Sequence, residues 1–302
     1  MIRMFSAERS IQVCTVCRLV TAVLLAATLA ACSPPQEPES TPKPEPLTGL
    51  VDGLASGSVK VVDLTQPLNA ATPIIQLPPP FANTPGFTPH LISNFDADGP
   101  GWYWNWMEVG EHVGTHFDAP CHWVSGRDLP CVDALNADEF IGPAVVIDVT
   151  AAVSDNPDFV ATQETIESWE AENGRIPERA WVILKTGWGS RASDSELFFN
   201  ADDSGMAHYP GFGLESATFL TTQRNILGVG TEAVGTDAAV GAIADPAFPN
   251  HFTMHGAGKY GLTQLANVDQ LPATGAVIIA TPLKIDRGSG SPVRAIALVP
   301  AS

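Results

Sequence analysis

The chain has 302 residues, with 15 Lys and Arg against 33 Asp and Glu, a formal charge of −18 at pH 7. So acidic a surface repels nucleic acid and anionic lipid headgroups, which excludes a nucleic-acid partner and electrostatic membrane binding. The acid is spread along the chain rather than blocked, so it serves solvation.

In chain order, residues 1–31 read as a signal peptide. Arg3, Arg9 and Arg18 give a positive n-region, and Leu19 to Ala31 is an apolar run too short for a comfortable membrane span. The run ends Leu29-Ala30-Ala31-Cys32, which resembles a bacterial lipobox. That resemblance implies cleavage before Cys32 and lipidation of its thiol; the alternative is an ordinary signal peptide cut nearby. Either way the expectation is export, and with the lipid the protein faces the periplasm, membrane-bound only through its anchor. Ser33 in place of Asp favours the outer membrane over the inner. Loss of residues 1–31 removes three Arg and one Glu, leaving 12 basic and 32 acidic residues and a charge of −20.

Residues 32–50 read as the lipid-bearing Cys32 and a tether. Six prolines between Ser33 and Leu47, without apolar periodicity, predict an extended spacer. Residues 51–302, about 250, suffice for one well-buried domain. Cys14 and Cys17 leave with the signal, so Cys121 and Cys131 remain. An exported compartment permits a bond between them, and the sequence leaves the pair bonded or free.

Within the domain, runs rich in Val and Ile predict strands at Val59–Leu64 and Val145–Val149. Thr162–Asn173 predicts a helix, capped by Thr162 and ended by Gly174. A strand follows at Trp181–Thr186, a helix at Leu214–Gln223 and a strand at Ile226–Gly230. Val277–Ala280 and Arg294–Val299 close the domain. Residues 65–101 and 186–212 read as long irregular segments. The pattern is a single mixed α/β domain, with flanking helices on a largely β body.

The chemistry concentrates in Glu111-His-Val-Gly-Thr-His-Phe-Asp-Ala-Pro-Cys-His122. Gly114 and Pro120 argue against a helix, so the segment is predicted to be extended with a turn at its end. Side chains 112, 116 and 118 then share one face, and two imidazoles with a carboxylate make a divalent metal site. His122, beyond Pro120, lies beside the metal and moves protons. Upstream, Trp102, Trp104 and Trp106 share a face of Gly101-Trp-Tyr-Trp-Asn-Trp106. They stack against a flat substrate or serve core or oligomer packing.

Residues 112–122 resemble the H-x-G-T-H-x-D-x-P-x-H motif of the metal-dependent cyclase family, which includes bacterial kynurenine formamidases and isatin hydrolases. All seven fixed positions match. Two further blocks are similar: His251 to Leu262 running into Leu265–Pro272, and Thr281–Ile285 with Ser291–Ala295. The resemblance implies a β-barrel-like core, homo-oligomers, and hydrolysis of amides. It carries His112, His116 and Asp118 over as ligands. His251 matches the family's downstream ligand position, but beside a single metal it binds substrate or orients water, and His255, in the same block, is a further substrate-binding candidate. The formamidase-type pattern has a glutamate that helps hold a second zinc; Thr263 stands there, and Gln264 in the next position. The resemblance thus implies one ion, Mn²⁺ or Zn²⁺. Gln264 is a candidate neutral ligand, though in register it points away. His208 reads as a loop residue near the mouth, and Asp237 as a turn or cap residue. The leading expectation is hydrolysis of an aromatic cyclic amide of the isatin type. The alternatives are an arylformamidase acting on N-formylkynurenine, a tethered binding lipoprotein without turnover, and a purely structural metal site.

Overall fold

Runs dominated by Val, Ile and Leu are buried on both faces only when a sheet is covered on both sides, and that is how this chain uses them. The computed structural model describes residues 46–77 and 81–301. The signal segment, Cys32 and the tether up to residue 45 lie outside the described residues.

The elements in order are α1 (Pro46–Ser56), β1 (Val59–Asp63), β2 (Thr88–Asn94), β3 (Tyr103–Glu108), β4 (His116–Asp118) and β5 (Ile141–Asp148). Then come α2 (Thr150–Asp155), β6 (Val160–Ala161), α3 (Gln163–Asn173), β7 (Trp181–Lys185), α4 (Ser195–Phe199) and β8 (Gly211–Phe212). The chain continues through α5 (Leu214–Gln223), β9 (Gly228–Thr231), α6 (Pro249–Gly256), β10 (Tyr260–Thr263), β11 (Ala276–Pro282) and β12 (Gly290–Pro300).

Seven strands close a barrel in the order β12-β11-β5-β7-β9-β10-β4, with β4 pairing back onto β12. β5, β7, β9 and β10 run parallel, and the other contacts are antiparallel. The long β12 makes closure possible. Gly290–Pro292 at its start pair with β4, and its far half pairs with β1.

Alternation divides the side chains into two cores. Ala144, Val146, Trp181, Ile183 and Phe117 fill the barrel. Val145, Ile147, Val182 and Leu184 face outward and pack under Ile166 and Trp169 of α3 and Ala217 and Leu220 of α5. α3 is capped as expected: Thr162 accepts from the Thr165 amide, and Gly174 ends it at φ 87°. The mixed α/β domain with a barrel-like core is therefore what folds. Among the described residues no helix is long and apolar enough to cross a membrane.

The structure departs from expectation in several places, among them the segment 186–212, which holds α4 and runs into β8. The stretch expected to be extended through residue 50 becomes helical at Pro46, where proline's missing N–H costs nothing. The segment 65–101 contains β2, which forms a two-stranded ribbon with β3. β10 and α6, which no periodicity announced, complete the barrel and one wall of the site. Cys121 and Cys131 are joined in a disulfide.

Candidate active site

Strand β4 is only three residues long, and its alternation sets the site. Phe117 points into the barrel core, so His116 and Asp118 point to the opposite face. The cross-strand partners of Asp118 are glycines on both sides, Gly261 on β10 and Gly290 on β12. A Cβ at Gly261 would stand 2.7 Å from Asp118 Oδ2, and one at Gly290 would stand 2.5 Å from the His112 ring. Both positions are cleared for the site. His112 is not on the strand, contrary to the expectation of one extended face. Gly114 turns the chain at φ 64°, and that turn brings His112 back over Asp118.

His112 Nδ1 lies 2.7 Å from Asp118 Oδ1, and His116 Nε2 lies 3.3 Å from the same oxygen. The His116 ring is oriented by its Nδ1, which donates to the Gly114 carbonyl at 2.7 Å. Thr263 Oγ1 is 3.1 Å from His116 Nε2. The His122 ring stacks on His112, with centroids 3.9 Å apart, and lies 5.9 Å from His251 and 5.8 Å from His255. The cluster sequence reasoning picked out is thus brought together, with His251 and His255 included.

Asp237 is the residue that sequence reasoning undervalued. It does cap α6, accepting from the Asn250 and His251 amides at 2.7 and 3.0 Å. Its carboxylate also accepts a hydrogen bond from His251 Nδ1–H at 2.5 Å, which turns His251 Nε2 toward Asp118 Oδ2, 3.9 Å away. The pairing of a cap with a histidine fourteen residues on was the available signal. His255 is oriented likewise, with Nδ1 donating to the Lys259 carbonyl at 3.0 Å.

The electrostatics separate these groups. Burial alone would raise the pKa of Asp118, but His116 beside it holds it well below the carboxylate range. Burial pushes His122 well below the ordinary histidine value, so it is neutral at pH 7. Burial and His251 push His255 down to about 4. Burial works against a charged His251, yet the Asp237 carboxylate leaves its pKa raised.

The cluster lines a cavity of about 250 Å³. His112, His116, Asp118, His122 and His251 form its polar side, and Trp123, Tyr209 and Phe248 supply aromatic surface. Gln264 does not reach it. Its backbone sits at φ 53° past the end of β10, and its side chain donates to the Pro73 carbonyl. Thr263 takes the inward place instead, so Gln264 is corrected from ligand to buried structural residue. Trp102, Trp104 and Trp106 do not line the cavity either. They lie on or beside β3, in the ribbon, at 52, 52 and 50% exposure. The aromatic wall comes from other residues, Trp123 above all, 4.9 Å from the His251 ring. His208 pairs with Asp158 at 2.8 Å, next to the cavity-lining Tyr209.

The donor set fits a divalent ion. Asp118 Oδ2 and His255 Nε2 are buried without any hydrogen-bond partner, which is costly for a carboxylate oxygen unless a cation meets it. One donor atom each of His112, Asp118 and His122 lies within 4.8 Å of the others, and the same holds for Asp118, His251 and His255. Nitrogen and oxygen donors without thiolate suit hard-to-borderline metals.

Residues 62–238 match the family described as putative cyclase. The chain belongs to the cyclase family. Within it, the isatin hydrolase of Roseibium aggregatum is 48% identical over 257 residues, spanning 84% of this chain and 97% of that protein. The crystal structure of an isatin hydrolase bound to the product analogue thioisatinate matches with a TM-score of 0.82 at 48% identity. It covers 84% of this chain and 98% of that one. The kynurenine formamidase of Paracidovorax citrulli is more distant, 28% identical over 248 residues, with 79% of this chain and 96% of that protein covered. This cyclase-family chain is accordingly a hydrolase.

Proposed function

We propose that the protein hydrolyses a cyclic amide fused to an aromatic ring, isatin or a close relative, to the ring-opened amino acid. One observation carries this: a chain nearly half identical to an isatin hydrolase over most of its length places a His/Asp cluster against an aromatic wall. A cavity of about 250 Å³ suits a small flat bicycle.

His112, His116 and Asp118 would hold one divalent ion, Mn²⁺ or Zn²⁺. When bound, the ion supplies Lewis acidity to the amide carbonyl and acidifies water. Everything else falls to the chain. Trp123 and Phe248 flank the ring and exclude water from it. His251, fixed by Asp237, presents Nε2 to a substrate oxygen. His122, neutral and stacked on His112, accepts a proton from the attacking water and delivers it to the departing nitrogen. The water oxygen bonds to the carbonyl carbon, the C–N bond breaks, and nitrogen gains that proton. The new acid then ionises. A single ion is favoured because Thr263, which contacts His116, offers a hydroxyl where a second site would want a carboxylate.

The proposal extends to the setting. The lipobox-like Leu29–Cys32 and the Pro-rich stretch favour a lipid-anchored protein facing the periplasm, and the Cys121–Cys131 disulfide is compatible with such an oxidising compartment. The exposed apolar ribbon β2–β3 supports a homo-oligomer.

The test is kcat/KM for isatin and N-formylkynurenine on Mn²⁺- and Zn²⁺-loaded protein, with metal counted per chain. Faster ring opening of isatin with one ion per chain is expected. A preference for N-formylkynurenine, or two ions per chain, reverses the assignment.

A further inference from the structure

We propose that Ser289 and Glu111 form a positioning relay that fixes the His112 tautomer and aims its Nδ1 at the metal. The inference rests on the reading of His112 as a ligand and adds two residues that no motif contains.

The geometry is a chain of three groups. Ser289 Oγ donates to Glu111 Oε2 at 2.6 Å, so its single proton is committed. His112 Nε2 lies 2.8 Å from the same Oγ. With the hydroxyl proton spent on the carboxylate, Oγ only accepts, and the His112 proton must sit on Nε2. Nδ1 then carries the lone pair, and Nδ1 is the atom 2.7 Å from Asp118 Oδ1. Two electron-rich atoms that close are stabilised by a shared cation.

The relay is rigidly mounted. The Ser289 amide also donates to Glu111 Oε2, at 3.1 Å. The Ser289 carbonyl accepts from the Ala119 amide at 2.9 Å, which ties it to the residue after Asp118. Its neighbour Gly290 leaves no room for a side chain beside the His112 ring. One residue further back, the Gly288 carbonyl accepts from the Val132 amide, next to the disulfide. A carboxylate behind a metal-bound imidazole fixes ring and tautomer and raises ligand basicity, and losing such a partner typically costs about 10–100-fold in metal affinity. Here the carboxylate acts through a serine hydroxyl.

The test uses the full chain, stripped of metal, in wild-type, Ser289→Ala, Glu111→Gln and Ser289→Thr forms. Two readouts are taken: the Mn²⁺ dissociation constant, and the His112 tautomer by ¹⁵N-detected NMR of the stripped protein. The expected result is an Nε2-protonated His112 in wild type and a mixed or Nδ1-protonated ring in Ser289→Ala. Affinity should fall about 10–100-fold in Ser289→Ala, by less in Glu111→Gln, and recover in Ser289→Thr. Wild-type affinity with an unchanged tautomer in both Ser289→Ala and Glu111→Gln overturns the relay while leaving the metal site standing. A wild-type chain that binds no Mn²⁺ or Zn²⁺ at all overturns the metal reading itself, and the relay with it.

Discussion

Strands β3 and β4 are separated by seven residues, 109–115, yet they use their side chains in opposite ways. β4 buries all three of its residues, two of them ionisable, between two glycine partners. β3 leaves its aromatics about half exposed in a ribbon whose polar contacts are local, such as His90 with Glu108 at 3.0 Å and Asn105 with Tyr103 at 2.9 Å. Burying a carboxylate and imidazoles is expensive and is retained where they meet a ligand. Exposing aromatics on a two-stranded ribbon is marginal alone and is retained where another surface covers them. The lesson is that the site chemistry sits with the buried polar groups, and the richest aromatic run lies away from the cavity, where we propose that it serves association.

That contrast can be broken most sharply at β4. Asp118→Ala and His116→Ala should each remove bound metal and lower hydrolysis by about 10³-fold or more, the several kcal/mol a Lewis acid supplies. Elemental analysis showing full occupancy in either variant would sink the ligand assignment. His122→Ala should keep its metal and lose about 10²–10⁴-fold in kcat, the usual worth of a proton-transfer group. Loss of metal as complete as in Asp118→Ala would instead make His122 a ligand. Asp237→Asn keeps the shape of the His251 support and removes its charge. We expect about 10–150-fold lower kcat with metal content unchanged, the worth of one charged hydrogen bond, checked by kinetics beside metal analysis. The smallest effect belongs to the ribbon. Trp104→Ala and Trp106→Ala should leave chemistry per chain within about twofold and shift the association state seen by sedimentation. A large fall in kcat with unchanged assembly would return these tryptophans to the substrate.

Much of this was readable in advance because it is local. Thr162 brackets α3 with a side-chain cap at its start, and Gly174 ends it with a glycine at positive φ. The His112–His122 spacing is dense enough to betray a site without any fold. What stayed hidden depends on distant pairing. Whether Gln264 or Thr263 faces His116 is decided by the register of β10 on β4, a contact across 147 residues. Asp237 looks like a turn residue until α6 lands on it. Ser289 and Glu111 stand 178 residues apart and share no motif. The tryptophan run was legible as a flat aromatic face, but not as a ribbon lying away from the cavity, because Pro89, the β-bulge at Leu91/Ser93 and the Asp96–Gly101 turn mask the strand pattern.

The central claim is that one divalent ion on the β4 cluster drives cyclic amide hydrolysis, and one titration tests it most directly. The protein is stripped with a chelator, Mn²⁺ is returned in steps, and isatin ring opening is followed against bound metal per chain. The expected curve starts near zero, rises in proportion to bound metal, and saturates at one ion per chain. Full activity in the stripped protein, or a rise that continues to two ions, would contradict it.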